Sequence, residues 1–84
     1  MANIRKMRRV YNAIYPNMPI AEVINIVGFP DSCIGTLEEG ILTWSNSVWK
    51  GFFRGGTIFR RVIIFTRNGV VVQFSSENLN VSNW

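Results

Sequence analysis

Asn68-Gly69, set between two runs of β-branched and aromatic residues, constrains the fold more than any other feature of the sequence. A two-residue type I′ turn needs positive φ at both central positions, and asparagine and glycine adopt such angles at little cost. The flanking runs, TIFRRVIIFT and VVVQFS, have the composition of strands. The sequence therefore predicts an antiparallel hairpin with strands at 57–66 and 70–75.

The two-residue turn also predicts which side chains share a face, because alternate residues of a strand point to opposite sides of the sheet. One face carries Phe59, Ile63, Phe65, Val70, Val72 and Phe74. The other carries Ile58, Arg60, Val62, Ile64, Val71 and Gln73. We expect this second face to point outward. A sheet with helices on one side usually has a polar opposite face, so two apolar faces predict more apolar strand surface than the helices can cover.

A third strand is predicted at 41–49, where ILTWSNSVW alternates between large apolar and small polar residues. Leu42, Trp44 and Val48 share one side of this strand. The glycine-bounded segment KGFFRGG leads from it to the hairpin as a loop. The preceding segment, DSCIGTLEEG, is polar and contains two glycines, and we interpret it as a connector.

A first helix is predicted at 3–15. One apolar stripe at helical spacing holds Ile4, Met7, Tyr11 and Ile14, with Val10 alongside, and four basic residues occupy the remaining surface. Asn3 is the predicted N-cap. Asn17 suits the reversal that follows, because asparagine tolerates a left-handed backbone.

A second helix is predicted at 19–27. It starts at Pro19, whose missing N–H costs nothing in a first turn, and Gly28 is a suitable residue to end it. A helix this short is only marginally stable alone, so it must be stabilised by docking on the rest of the domain. The predicted fold is therefore α+β, with two N-terminal helices packed on one face of a three-stranded antiparallel sheet, in a single domain covering 1–84.

The order of these elements and their sequence motifs resemble those of the SmpA/OmlA family of outer-membrane assembly lipoproteins, whose fold is shared by the β-lactamase inhibitor protein. The matching residues are Ile14, Met18, Glu22, Val23, Val27, Gly28, Pro30, Thr43, Trp44, Phe65, Asn68, Gly69 and Val71. The chain has no lipobox cysteine near its start, so lipid anchoring is not part of the resemblance. The resemblance implies non-enzymatic binding, in membrane-protein assembly or by clamping another protein with a concave sheet.

Catalytic and metal-binding groups are sparse in this sequence. Histidine is absent, and the single cysteine, Cys33, excludes an internal disulfide framework and a zinc site. The acidic residues are Glu22, Asp31, Glu38, Glu39 and Glu77, which are scattered along the chain. An enzyme needs an acid, base or nucleophile held near a partner group. We therefore expect no enzymatic activity, no cofactor and no metal.

Our leading hypothesis is a module that binds a protein partner, or a second copy of itself, through the outward sheet face. An aromatic loop extends the expected surface, because aromatic residues and arginine are enriched at the energetic centres of interfaces. The predicted partner-binding residues are Trp49, Phe52, Phe53, Ile58, Arg60, Val62, Ile64, Val71 and Gln73.

The basic residues support an alternative hypothesis. The chain has nine lysines and arginines against five acids, a formal net charge of +4. A basic patch centred on Arg5, Arg8, Arg9 and Arg54 would bind nucleic acid or an anionic lipid surface through phosphate groups. The simpler interpretation of these charges is solubility.

No run of the sequence approaches the roughly 20 apolar residues of a membrane span. The basic N-terminal segment is not followed by the apolar stretch of a secretory signal. We expect a cytoplasmic protein by default, or a periplasmic, outer-membrane-associated one if a lipoprotein leader has been removed.

Overall fold

The computed structural model describes residues 3–49 and 57–78, with only the backbone given for Val48, Trp49 and Ile58. In chain order, the elements are α1 (Ile4–Ala13), α2 (Ile20–Val27), β1 (Ser32–Gly35), β2 (Gly40–Trp49), β3 (Thr57–Arg67) and β4 (Val70–Glu77). The strands form one antiparallel sheet in the order β1-β2-β3-β4. The α+β class with two helices is confirmed. The prediction of three strands is wrong, because β1 is an additional strand.

Helix α1 follows its apolar stripe. The Asn3 side chain caps it by accepting hydrogen bonds from the backbone N–H groups of Arg5 at 2.9 Å and Lys6 at 3.2 Å. Met7 and Val10 are fully buried against the sheet. The helix ends two residues before the predicted boundary, since the backbone turns extended at Ile14.

The turn between the helices ties them to the edge of the sheet. Asn17 has a φ of 70°, as predicted for a left-handed reversal. Its backbone N–H donates to the Val71 carbonyl at 2.7 Å, and the Val71 N–H donates to the Met18 carbonyl at 2.9 Å. The start of α2 is held in the same way, because the Ile20 N–H donates to the Gly69 carbonyl at 2.9 Å.

The β3–β4 hairpin has the predicted turn but a shifted register beyond it. Asn68 and Gly69 have φ values of 54° and 78°, as a type I′ turn requires. Thr66 then pairs with Val71, whereas Phe65 pairs with Gln73. Val72 is therefore an extra residue on β4, a β-bulge.

Because of the bulge, Gln73 and Phe74 at the end of β4 lie on the faces opposite to those predicted for them. Gln73 lies opposite Phe65, and Phe74 lies opposite Ile64. The ring of Phe74 packs edge-on against Tyr11 of α1, with ring centroids 5.8 Å apart. The prediction that Phe74 shares a face with Phe65 is wrong for this reason.

The strand missing from the prediction, β1, forms a tight hairpin with β2. The pairing extends from Ser32 with Thr43 to Gly35 with Gly40. A Cβ atom on Gly40 would overlap the carbonyl oxygen of Ile34, so the turn requires glycine at that position. All four residues of β1 are exposed, so it shows no alternating burial pattern.

Both helices cover the same face of the sheet, here called the inner face. Its side chains pack with Met7, Val10, Val23 and Val27 of the helices in one hydrophobic cluster. The fully buried apolar residues of the inner face are Leu42, Trp44, Val62, Ile64 and Val71.

Candidate functional site: the open face of the sheet

The face that we expected to point outward is the one that the helices cover. Val62, Ile64 and Val71 are completely buried, and so is Arg60, whose Nη1 donates to the Asn46 side-chain oxygen at 3.2 Å. None of these four side chains is accessible to a partner. The outward assignment of this face is wrong, because Val62 and Ile64 lie across from Trp44 and Leu42, which the helices pack against.

The remaining predicted partner-binding residues lie either on the opposite face of the sheet or outside the described part of the chain. Gln73 is exposed, but the bulge places it on the opposite face from Val62. The side chains of Trp49 and Ile58 lie outside the described part of the chain, and so do Phe52 and Phe53. The predicted role of this aromatic group stays a prediction.

The opposite face, here called the open face, is also apolar. Ile34, Ile41 and Phe65 form a row across β1, β2 and β3. Ile34 is 65% exposed, Phe59 55% and Val72 51%. Ile41, Ile63 and Phe65 are half-buried among their neighbours on the sheet. Among the described side chains, the apolar residues of the open face include Ile34, Ile41, Phe59, Ile63, Phe65 and Val72.

A shallow depression of about 500 Å³ lies at one end of the open face. Its lining includes Ile41, Phe65 and Val72, with Gln73 and Arg67 beside them. The bulge brings Val72 to this place, because it adds a residue to β4 next to the Phe65 row. The depression is open to solvent rather than enclosed, a shape that suits contact with another surface more than capture of a small molecule.

Charges on and around the open face nearly cancel. Arg61 forms an ion pair with Glu77, with Nη1 and Oε2 3.5 Å apart and both side chains about half exposed. Arg67 and Glu39 border the depression. With Asp31 near Phe59, the described residues place two positive and three negative side chains here, against a net +4 for the whole chain.

Asp31 completes the edge of the sheet where β1 begins. Its carboxylate accepts a hydrogen bond from the backbone N–H of Ser45 at 2.8 Å, and its own N–H donates to the Thr43 carbonyl at 2.9 Å. Partial burial acts to raise the pKa of Asp31. The hydrogen bonds that the carboxylate accepts, first of all from the Ser45 backbone, outweigh burial and lower that pKa below its usual value.

Three residues of the predicted basic patch, Arg5, Arg8 and Arg9, lie on α1, away from the open face. Arg5 and Arg9 are exposed on α1, with Lys6 beside them. Arg8 is half-buried and engaged in a contact, and Arg54 lies outside the described residues. The structure therefore brings Arg5 and Arg9 together on one helix.

Within 3–49 and 57–78, no three His, Cys, Asp or Glu side chains come together as metal ligands. The thiol of Cys33 is exposed, 3.7 Å from the Gly35 carbonyl oxygen. No helix in the same ranges has the length and apolar character needed to cross a membrane.

The chain matches no protein-family model and no curated protein. The resemblance to the SmpA/OmlA family therefore stays a prediction. Several residues that carry it have clear structural roles here. Met18, Val23 and Val27 are buried in the core, and Gly28 ends α2 with a φ of 89°.

Proposed function

We propose that this chain is a non-enzymatic protein-interaction module that associates with a second copy of itself through the open face. The observation that carries this proposal is that Ile34 and Val72 are each more than half accessible beside Ile41 and Phe65 on one sheet surface. Contiguous apolar patches on a soluble domain mark interaction sites, because leaving them in water costs free energy.

The size of the open face suits a dimer of small domains. Strands lie about 4.8 Å apart and rise about 3.3 Å per residue. Strands of 4, 10, 11 and 8 residues therefore give a flat footprint of roughly 500 Å². Projecting side chains enlarge the accessible area beyond this value, toward the roughly 800 Å² that each partner buries in a standard interface.

The charges favour a copy of the same chain as the occupant. Two molecules that each carry +4 repel at long range, but the open face holds arginines and carboxylates in nearly equal number. Face-to-face packing about a two-fold axis lets a basic group of one copy approach an acidic group of the other. The same mixture of positive and negative groups does not favour binding of a polyanion to the open face.

The test is sedimentation equilibrium of the wild-type chain and of Val72→Lys and Ile34→Lys. We expect the wild type to approach twice the 9.6 kDa chain mass as concentration rises. Each lysine variant should sediment as a single chain, because dimer formation would bury its charge. Both positions are more than half exposed, so thermal unfolding followed by circular dichroism should show that the fold is retained.

The matched control is Phe29→Lys. Phe29 is 74% exposed but lies in the connection between α2 and β1, off the sheet. The Phe29→Lys substitution should leave the dimer intact. A wild-type chain that remains 9.6 kDa up to millimolar concentration contradicts self-association, and capture of a different protein by the open face would then replace it.

A further inference from the structure

We infer a second binding surface on this chain: the solvent-facing side of α1 binds the phosphate backbone of nucleic acid. The helix IRKMRRVYNA holds four cations and no carboxylate. Arg5, Lys6 and Arg9 are exposed on it, and these three residues are here called the basic face. This surface lies on the helix side of the sheet, so it acts independently of association through the open face.

The described part of the chain does not neutralise the basic face. The ion pair between Arg61 and Glu77 belongs to the open face. No carboxylate in the described ranges pairs with Arg5, Lys6 or Arg9. Since the charges around the open face nearly cancel, much of the chain's net charge of +4 is presented by α1.

The arrangement of these cations lowers the stability of the helix that carries them. Arg5 and Arg9 are four residues apart and Lys6 and Arg9 three apart, so like charges stand on one side of the helix. Arg5 and Lys6 also lie in its first turn, where the helix dipole disfavours cations. A local arrangement that opposes stability is typical of a functional surface.

The exposed composition of α1 favours nucleic acid over a lipid bilayer. A helix that lies on a membrane inserts its apolar face into the lipid, but Met7 and Val10 of α1 are buried in the protein core. The other exposed residues of α1 are Asn12 and Ala13, which offer nothing large to insert. Phosphate contacts need only charge and hydrogen-bond donors.

Arginine is suited to this contact, because its planar guanidinium donates two parallel hydrogen bonds to one phosphate. Arg5 and Arg9 lie one helical turn apart, about 6 Å along the axis, so they can reach separate phosphates of one strand. No aromatic side chain is exposed beside them on the helix. Binding through this surface is therefore independent of base sequence.

The test is fluorescence anisotropy of a short labelled DNA duplex titrated with the full chain at several salt concentrations. Three phosphate contacts predict a slope of about −2.7 for log K against log salt, or a loss of about 40-fold in affinity between 50 and 200 mM. Arg5→Gln combined with Arg9→Gln should reduce the slope to about −0.9. Arg5→Lys with Arg9→Lys should keep the wild-type slope.

Ala21→Glu combined with Phe29→Glu is the matched control, because it lowers the net charge by the same two units at exposed positions away from both α1 and the open face. It should leave the slope unchanged. Circular dichroism spectra identical to wild type show that each variant is folded. An equal loss of affinity in the glutamine pair and in the glutamate pair would show that only the net charge matters and would overturn the proposal. So would salt-independent binding, no binding, or stronger retention on phosphatidylserine vesicles than on DNA at the same salt.

Discussion

The indole N–H of Trp44 donates a hydrogen bond to the carbonyl oxygen of Gly28 at 3.0 Å, joining the end of α2 to the centre of the sheet. Trp44 is fully buried and lies across from Val62 on β3. An indole N–H buried without an acceptor costs free energy, so this bond favours docking of the helices on the inner face. The helices thereby leave the open face uncovered.

Replacement of Trp44 by phenylalanine should lower the free energy of unfolding by about 2 kcal/mol, through the lost hydrogen bond and a smaller ring in the core. Urea unfolding followed by far-ultraviolet circular dichroism measures the change. Phe59→Leu on the open face is the control, and its effect should stay below about 0.5 kcal/mol. Equal effects of the two substitutions would contradict the assignment of the inner face.

Thr66 holds the β1–β2 loop from inside the sheet. Its hydroxyl donates to the Leu37 carbonyl at 2.9 Å and accepts from the Gly40 N–H at 3.1 Å. Thr66→Val keeps the side-chain shape but leaves both groups unpaired, so the free energy of unfolding should fall by about 2 kcal/mol. Thr66→Ser keeps the hydroxyl and should cost less than about 1 kcal/mol. A larger loss for serine than for valine would argue against this anchoring role.

Val62 and Ile63 are neighbours in sequence on opposite faces of β3. Val62 is fully buried beneath the helices, whereas Ile63 is half-buried on the open face. Val62→Lys should abolish the near-ultraviolet signal of folded aromatic residues, because it buries an unpaired charge. Ile63→Lys should retain that signal. A folded Val62→Lys chain would reverse the assignment of the two faces.

Stability should depend on the ionisation of Asp31. Its pKa lies below the ordinary 3.8 in the folded chain, so the carboxylate stabilises the fold above that pH and loses its contribution as pH falls through the lower, folded pKa. Urea midpoints measured from pH about 5 to about 2 should fall less steeply for Asp31→Asn than for wild type. Parallel profiles would show that the Ser45 contact does not stabilise the folded chain.

Much of the fold was predictable from short-range signals. The Asn3 cap, the stripe of Met7 and Val10, and the Asn68-Gly69 turn each depend on residues close in sequence, and the structure confirms them. The strand β1 was missed, because none of its residues is buried and its polar, glycine-containing segment has the composition of a connector.

The candidate site was predicted with its faces reversed. Alternation shows which residues of β3 share a face, but both faces are apolar, and sequence periodicity does not tell which one the helices cover. The signal that could have decided it lies on β2, where Leu42 and Trp44 alternate with small polar residues. Their register against Ile64 and Val62 marks the inner face. The bulge at Val72 has no sequence signal of its own.

The most direct test of the central claim is a dilution series of an isoleucine-methyl-labelled chain followed by nuclear magnetic resonance. We predict that the methyl signals of Ile34, Ile41 and Ile63 on the open face move together as the dimer dissociates. Those of Ile20 and Ile64, buried in the core, should stay fixed. Signals that move at Ile20 or Ile64 while the open face is unchanged, or that do not move anywhere, would contradict association through the open face.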